Sequence, residues 1–119
     1  MGWKFNSDTS VSKQIATKLK LDILFGKYPA GSQFPTVRQI ASIASVNPNT
    51  VQKALGYLED DGLLIARGTV GRFVTEDSIV IKDMLEALQR EYMQNILNDG
   101  LQLGITKEQF IEFLKEGNT

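Results

Sequence analysis

The sequence predicts a mainly α-helical fold with one small β-hairpin. Apolar residues repeat at helical spacing in five segments, and helix-start signals stand in front of three of them. Two short apolar runs flank one glycine-containing turn, which is the pattern of a hairpin. With 119 residues, of which 42% are hydrophobic, we expect one globular domain, with or without a small appendage.

Composition argues against catalysis. The chain has no cysteine and no histidine, so the usual thiolate and imidazole metal ligands and the usual general base are missing. Neither a glycine-rich phosphate loop nor an acidic calcium loop is present. We therefore expect no enzyme, no catalytic residue, no cofactor and no metal site. The amino terminus lacks the apolar core of a signal peptide, and no run reaches the roughly 18 apolar residues of a membrane span. These features predict a cytoplasmic protein without membrane contact.

The first two helices are predicted from apolar spacing and from a cap. Residues 10–25 carry apolar side chains every four positions and end before Gly26, which suits a left-handed cap. The second helix begins at Thr36, because Gln39 follows three residues later and completes a capping box. We expect this second helix to be short.

A third helix restarts directly after the second. Asn47 is a good N-cap and Pro48 suits the first helical position, so the helix is predicted from Pro48 to about Asp61. Its apolar stripe faces inward, which leaves a short polar face near its amino end. Two short helices joined by so short a turn predict a helix-turn-helix. The buried stripe consists of Val51, Ala54, Leu55 and Leu58.

The hairpin follows this helix. Residues 63–67 and 72–75 read as two strands around Gly68–Gly71. A hairpin in this place is the wing of a winged helix. The predicted fold is thus a winged helix-turn-helix over residues 1–75, followed by a two-helix tail over residues 76–119.

The tail has more apolar surface than two helices can hide. Its first helix is predicted over residues 78–98, and Gly100 interrupts the helical pattern after it. Its second helix begins at Thr106, which forms a capping box with Gln109. Because two such helices cannot enclose a core, they must pack on the first domain, on a second copy of the chain or on both, and we expect a two-fold partner to cover their apolar sides. The predicted dimerisation residues are Leu85, Leu88, Tyr92, Ile96, Phe110, Phe113 and Leu114.

Charge is distributed unevenly. Residues 1–75 hold nine Lys/Arg and five Asp/Glu, a net charge of +4, whereas residues 76–119 hold four and nine, a net charge of −5. A basic first part is expected when that part meets a polyanion.

The residues that carry this pattern resemble a known family. The run Phe34-Pro-Thr-Val-Arg-Gln-Ile-Ala41, the run Val46-Asn-Pro-Asn-Thr-Val-Gln-Lys-Ala54 and Gly71-Arg-Phe-Val74 are similar to the winged helix of GntR-family bacterial transcription regulators. The resemblance covers about residues 10–75. The short helical tail resembles the YtrA-like subfamily, which implies a dimeric repressor. The wing is less basic than is usual in that family, since Gly68 and Val70 stand where Arg or Lys is frequent.

The resemblance and the exposed polar face together predict the DNA contacts. Asn and Gln favour adenine edges, Lys favours guanine or phosphate, and Arg suits bidentate contacts. Two members of the set, Thr36 and Asn47, are expected to be caps first, and Gly71 either allows close approach to DNA or serves only to turn the hairpin. The predicted DNA-binding residues are Thr36, Arg38, Asn47, Asn49, Thr50, Gln52, Lys53, Arg67, Gly71 and Arg72.

Two functions from different classes fit the sequence. The first is a homodimeric transcription regulator, a repressor, that binds double-stranded DNA at an inverted repeat. The alternative is a winged-helix module that contacts proteins and not DNA. The amide-rich face with one lysine on the third helix favours DNA. A small-molecule effector is left open, and the sequence names no residues for it.

Overall fold

A computed structural model describes residues 2–117 and confirms a mainly helical chain with a small two-stranded antiparallel sheet. The chain divides into two compact units, of which one ends at Asp83 and the other begins at Met84. The sequence placed the domain boundary at residue 75, and that boundary stays a prediction. The elements are α1 (Val11–Leu24), α2 (Val37–Ala44), α3 (Pro48–Asp60), β1 (Leu64–Ala66), β2 (Arg72–Val74), α4 (Ser78–Gln102) and α5 (Lys107–Lys115).

The core of the first unit lies where α1 and α2 pack on α3. Apolar side chains at helical spacing on α1 and α3 meet there, and Leu64 of β1 and Val74 of β2 add to the same core. Each large side chain removed from water in this way stabilises the fold by about 1.5–3 kcal/mol. The fully buried large side chains are Ile15, Leu19, Ile23, Val51, Leu55, Leu58, Leu63, Leu64 and Val74.

The hairpin is shorter than the sequence indicated. The strands pair Leu64 with Val74 and Ala66 with Arg72, and a short 3₁₀ turn, Gly68–Val70, joins them. The expected strand ends at residues 63, 67 and 75 lie outside β1 and β2 but continue the pairing, since the Thr75 amide donates to the Leu63 carbonyl and the Arg67 amide to the Gly71 carbonyl, both at 2.9 Å. The loop before α2 runs along the other side of β2, where the Phe34 amide donates to the Arg72 carbonyl at 2.8 Å and the Val74 amide donates to the Ser32 carbonyl at 2.9 Å.

The second unit corrects one prediction. We expected Gly100 to interrupt the first tail helix, but α4 continues through it to Gln102. Gly100 is buried, and the ring of Phe110 lies so close to it that a Cβ there would overlap the ring. The glycine therefore allows a close approach between α4 and α5 and does not break the helix. The predicted capping box at Thr106 is confirmed, with the Gln109 amide donating to Thr106 Oγ1 at 3.1 Å.

Candidate nucleic-acid interface

The helix-turn-helix is built by local polar bonds at its two helix starts. The Gln39 amide donates to Thr36 Oγ1 at 3.1 Å and the Thr36 amide donates to Gln39 Oε1 at 2.8 Å, which is the predicted capping box. A three-residue turn with Ser45 in the left-handed region (φ 57°) leads to Asn47, whose Oδ1 accepts the Asn49 amide at 2.8 Å. Because these bonds satisfy amide groups at the starts of α2 and α3, the turn has a defined geometry.

The polar face of α3 lies opposite its buried stripe, as the sequence indicated. Asn49, Gln52 and Lys53 are exposed and Thr50 is half-buried, whereas the four stripe residues are buried. Arg38, in the first turn of α2, is also exposed. The side chains on α3 that carry donors and acceptors for base edges therefore point away from the protein, near the amino end of a helix narrow enough for the DNA major groove. Their contact with DNA stays a prediction.

The acidic run at the carboxyl end of α3 is partly neutralised within the protein. Glu59 Oε1 lies 3.4 Å from Arg72 Nε, and Asp61 Oδ2 lies 4.0 Å from Lys20 Nζ. Two of the three carboxylates are thus paired with cations of the same unit. The negative charge at this end of the helix is reduced, although Asp60 stays exposed there, and the uncharged amides lie at the opposite, amino end of α3.

The two wing arginines occupy different environments. Arg72 is 19% exposed and pairs with Glu59, so it joins β2 to the end of α3. Arg67 is 51% exposed, lies with its guanidinium 4.9 Å from the centre of the Phe73 ring, and has Nη2 3.7 Å from Glu76 Oε1. The sequence assigned both to DNA. In the structure Arg67 is the one that solvent, and hence a phosphate, reaches more easily.

Gly71 has a backbone conformation that only glycine adopts easily, with φ 123° and ψ −161°. A Cβ there would also lie 3.2 Å from Gln33 Nε2, which donates to the Val70 carbonyl at 2.9 Å. Gly71 is therefore needed to shape the wing, whatever its role toward DNA. At the tip, Val70 is 64% exposed.

Gln33 is a residue that sequence reasoning missed. Its side-chain amide holds the wing tip, and its backbone forms a one-residue bridge with Phe73. Gln33 and Val70 are 37 residues apart, and no periodicity or motif links them. The only local signal was its place directly before Phe34-Pro35, at the end of a turn-rich segment.

The predicted dimerisation residues divide into two groups. Leu85, Leu88 and Phe110 are half-buried within this chain, and Phe110 covers Gly100. The remaining four are exposed, with fractions between 43% and 72%, and they are Tyr92, Ile96, Phe113 and Leu114. Other exposed apolar side chains of the tail, such as Met93 and Leu103, add to the same uncovered surface.

Two negative findings concern residues 2–117. Within that range no group of three or more acidic side chains is arranged to hold a metal ion. None of the described helices is long and apolar enough to cross a membrane.

The winged helix-turn-helix and the exposed polar face of its third helix are the features of a class of proteins, the DNA-binding regulators. Residues 11–74 match the bacterial regulatory proteins of the gntR family, so the chain belongs to the GntR family of transcription regulators. It is 29% identical over 112 residues to the uncharacterised HTH-type transcriptional regulator YhcF of Bacillus subtilis (strain 168), covering 94% of this chain and 93% of YhcF. It is also 29% identical over 111 residues to the HTH-type transcriptional repressor YtrA of the same strain, covering 92% of this chain and 85% of YtrA.

Solved structures extend this likeness to the fold. A GntR family transcriptional regulator from Listeria monocytogenes superposes with a TM-score of 0.88 at 29% identity, covering 94% of this chain and 98% of that one. The DNA-binding domain of AraR, solved in complex with operator ORX1, matches with a TM-score of 0.54 at 26% identity. That match covers 60% of this chain and 93% of the AraR domain.

Proposed function

We propose that this chain is a homodimeric repressor that binds double-stranded DNA at an inverted repeat. The observation that carries the proposal is the face of α3, on which Asn49, Gln52 and Lys53 are exposed, together with the exposed Arg38 of α2. Amide side chains make paired hydrogen bonds to adenine, and cations contact guanine or phosphate. A helix of this kind fits the major groove with its amino-terminal residues toward the bases.

Two likenesses support the DNA and repressor parts of the proposal. The AraR DNA-binding domain, whose match covers 60% of this chain, is solved in complex with its operator. YtrA, which this chain matches over most of both lengths, is a repressor. A repressor acts by occupying DNA, so it needs no chemistry beyond the binding face described above.

The exposed apolar surface of the tail supports the homodimer. Tyr92 is 67% exposed, Phe113 57% and Leu114 72%, which is unusual for large apolar side chains grouped in so small a unit. A two-fold partner covers such a surface with the same residues from both subunits. The dimer would then present two α3 helices about one turn of DNA apart, roughly 34 Å, or a multiple of that distance.

A pair of full-length variants tests the dimer. Tyr92→Glu places a charge on the apolar side of α4, and Gln94→Glu places the same charge on the opposite side, two residues along at about 100° per residue. We expect Tyr92→Glu to sediment as a monomer at tens of micromolar while Gln94→Glu and the parent chain sediment as dimers.

DNA binding by the same proteins tests whether the dimer is functional. The monomeric variant should bind a half-site as well as the parent chain does, but should lose most affinity for the whole site, because the second half-site no longer binds at high effective concentration. A parent chain that sediments as a monomer, or a monomeric variant that binds the whole site equally well, would contradict the proposal.

A further inference from the structure

Arg67 is the wing cation that is accessible to solvent, and it already has an anion beside it. Its Nη2 lies 3.7 Å from Glu76 Oε1, while the ring of Phe73 lies against its guanidinium at 4.9 Å. The ring fixes the direction of the arginine side chain from one side. The carboxylate lies at Nη2 of the guanidinium, a donor that phosphate oxygens also bind.

The backbone around Glu76 is held on both sides of it. The Gly31 amide donates to the carbonyls of Val74 and Thr75 at 3.0 and 3.2 Å, which fixes the end of β2. After Glu76, the Asp77 amide donates to Thr75 Oγ1 at 3.2 Å. The stem of Glu76 lies over Gly31, where a Cβ would be 3.3 Å from its Cγ. The Glu76 side chain therefore leaves a fixed backbone in a restricted direction, toward Arg67.

This ion pair differs from the second pair of the wing. Arg72 and Glu59 are 19% and 29% exposed, so solvent and DNA reach them poorly. Arg67 and Glu76 are 51% and 75% exposed, and their separation exceeds the roughly 2.7–2.9 Å of a charge-assisted hydrogen bond. Exposed pairs of this kind contribute little stability, which means that another anion can replace the carboxylate at small cost.

We propose that Glu76 competes with DNA phosphate for Arg67 and thereby lowers the affinity of the wing for DNA. The inference rests on the proposed function, since it takes the wing to lie against a DNA backbone. In the unbound protein Arg67 is paired with Glu76, and binding exchanges that carboxylate for a phosphate. Glu76 is thus an affinity-setting residue that contacts no DNA itself.

The test is a set of full-length variants on a duplex that the parent chain binds. Glu76→Gln keeps the shape of the side chain and removes its charge, so we expect affinity to rise about two- to fivefold per subunit, measured on a half-site, the range that one exposed ion pair allows. Asp60→Asn removes one charge from another exposed carboxylate, at the end of α3, and measures the general effect of net charge. We expect its gain to be smaller.

A double variant separates competition from general repulsion. Arg67→Ala should weaken DNA binding. In the Arg67→Ala background, Glu76→Gln should raise DNA affinity no more than Asp60→Asn does, because the guanidinium for which Glu76 and phosphate compete is gone. The specific gain should shrink as salt rises, since both the ion pair and the phosphate contact are screened. Equal thermal midpoints of all variants would show that folding is not the cause.

The outcomes distinguish this inference from the function on which it rests. If the parent chain binds no duplex in a random pool, both the proposed function and the inference about Glu76 are overturned. A parent chain that binds, with Glu76→Gln no better than Asp60→Asn or weaker than the parent, overturns the inference alone. The same holds if the gain persists unchanged in the Arg67→Ala background.

Discussion

Replacing Lys53 by alanine tests the placement of α3 against DNA. The side chain is exposed on the third helix and takes part in none of the ion pairs found among residues 2–117. Removing it should therefore leave the free energy of unfolding within about 0.5 kcal/mol of the parent value. A loss of DNA affinity would then report a lost contact and not a damaged fold.

The magnitude follows from the number of lysines at the site. Each phosphate contact contributes about 0.9 to the magnitude of the slope of log affinity against log salt. If Lys53 contacts phosphate, a dimer that loses both Lys53 side chains should therefore show a slope smaller in magnitude by about 1.8. Between 50 and 200 mM salt, the ratio of parent to variant affinity should narrow by roughly 12-fold on a whole site, against roughly 3.5-fold on a half-site. If Lys53 reads guanine, the loss is about 1–3 kcal/mol and one base position becomes tolerant of change.

The assay is equilibrium binding to whole and half sites across that salt range, with urea unfolding of each protein alongside. Lys107→Ala is the matched control, because Lys107 is also an exposed lysine, in the first turn of α5 and outside the proposed interface. Arg38→Ala, on the exposed side of α2, should weaken binding without unfolding as well. Unchanged affinity in both Lys53→Ala and Arg38→Ala would refute the docking of α2 and α3 proposed here.

Three further substitutions test the parts that position the interface. Thr36→Ala removes the acceptor of the Gln39 amide and should cost about 1 kcal/mol in urea unfolding; unchanged stability would contradict the cap. Gly71→Ala meets a φ of 123° and should cost about 1–3 kcal/mol, seen as faster amide exchange in β1 and β2; exchange equal to the parent would show that the turn tolerates a side chain. Val70→Lys should raise affinity for non-specific duplex, with the gain disappearing as salt increases; a fall in affinity would mean that the tip does not face DNA.

The parts of the fold that depend on neighbouring residues could be predicted from the sequence. The capping boxes at Thr36 and Thr106 and the restart at Asn47-Pro48 are all present, because a cap needs only residues within three positions. The buried and exposed sides of α3 followed from helical periodicity in the same way.

The parts that depend on distant residues could not be predicted. Gly100 was expected to break a helix, and that prediction was wrong. The sequence does not reveal that the ring of Phe110, ten residues further on, packs against this glycine. The same reason explains why the sequence did not separate Arg67 from Arg72. Their environments are set by Glu76 and Glu59, whose positions depend on how β2 meets α3 and on the start of the tail.

The most direct test of the central claim is selection of bound duplexes from a random pool by the full-length protein. We predict that the selected duplexes contain two copies of one short sequence in inverted orientation, with centres about one helical turn, roughly 34 Å, or a multiple of it apart. Enrichment should be lost when Asn49 and Gln52 are both replaced by alanine, because base contacts specify the sequence whereas phosphate contacts do not. A pool that yields no enriched sequence, or a single copy without its inverted partner, would contradict a dimeric regulator that reads DNA through α3.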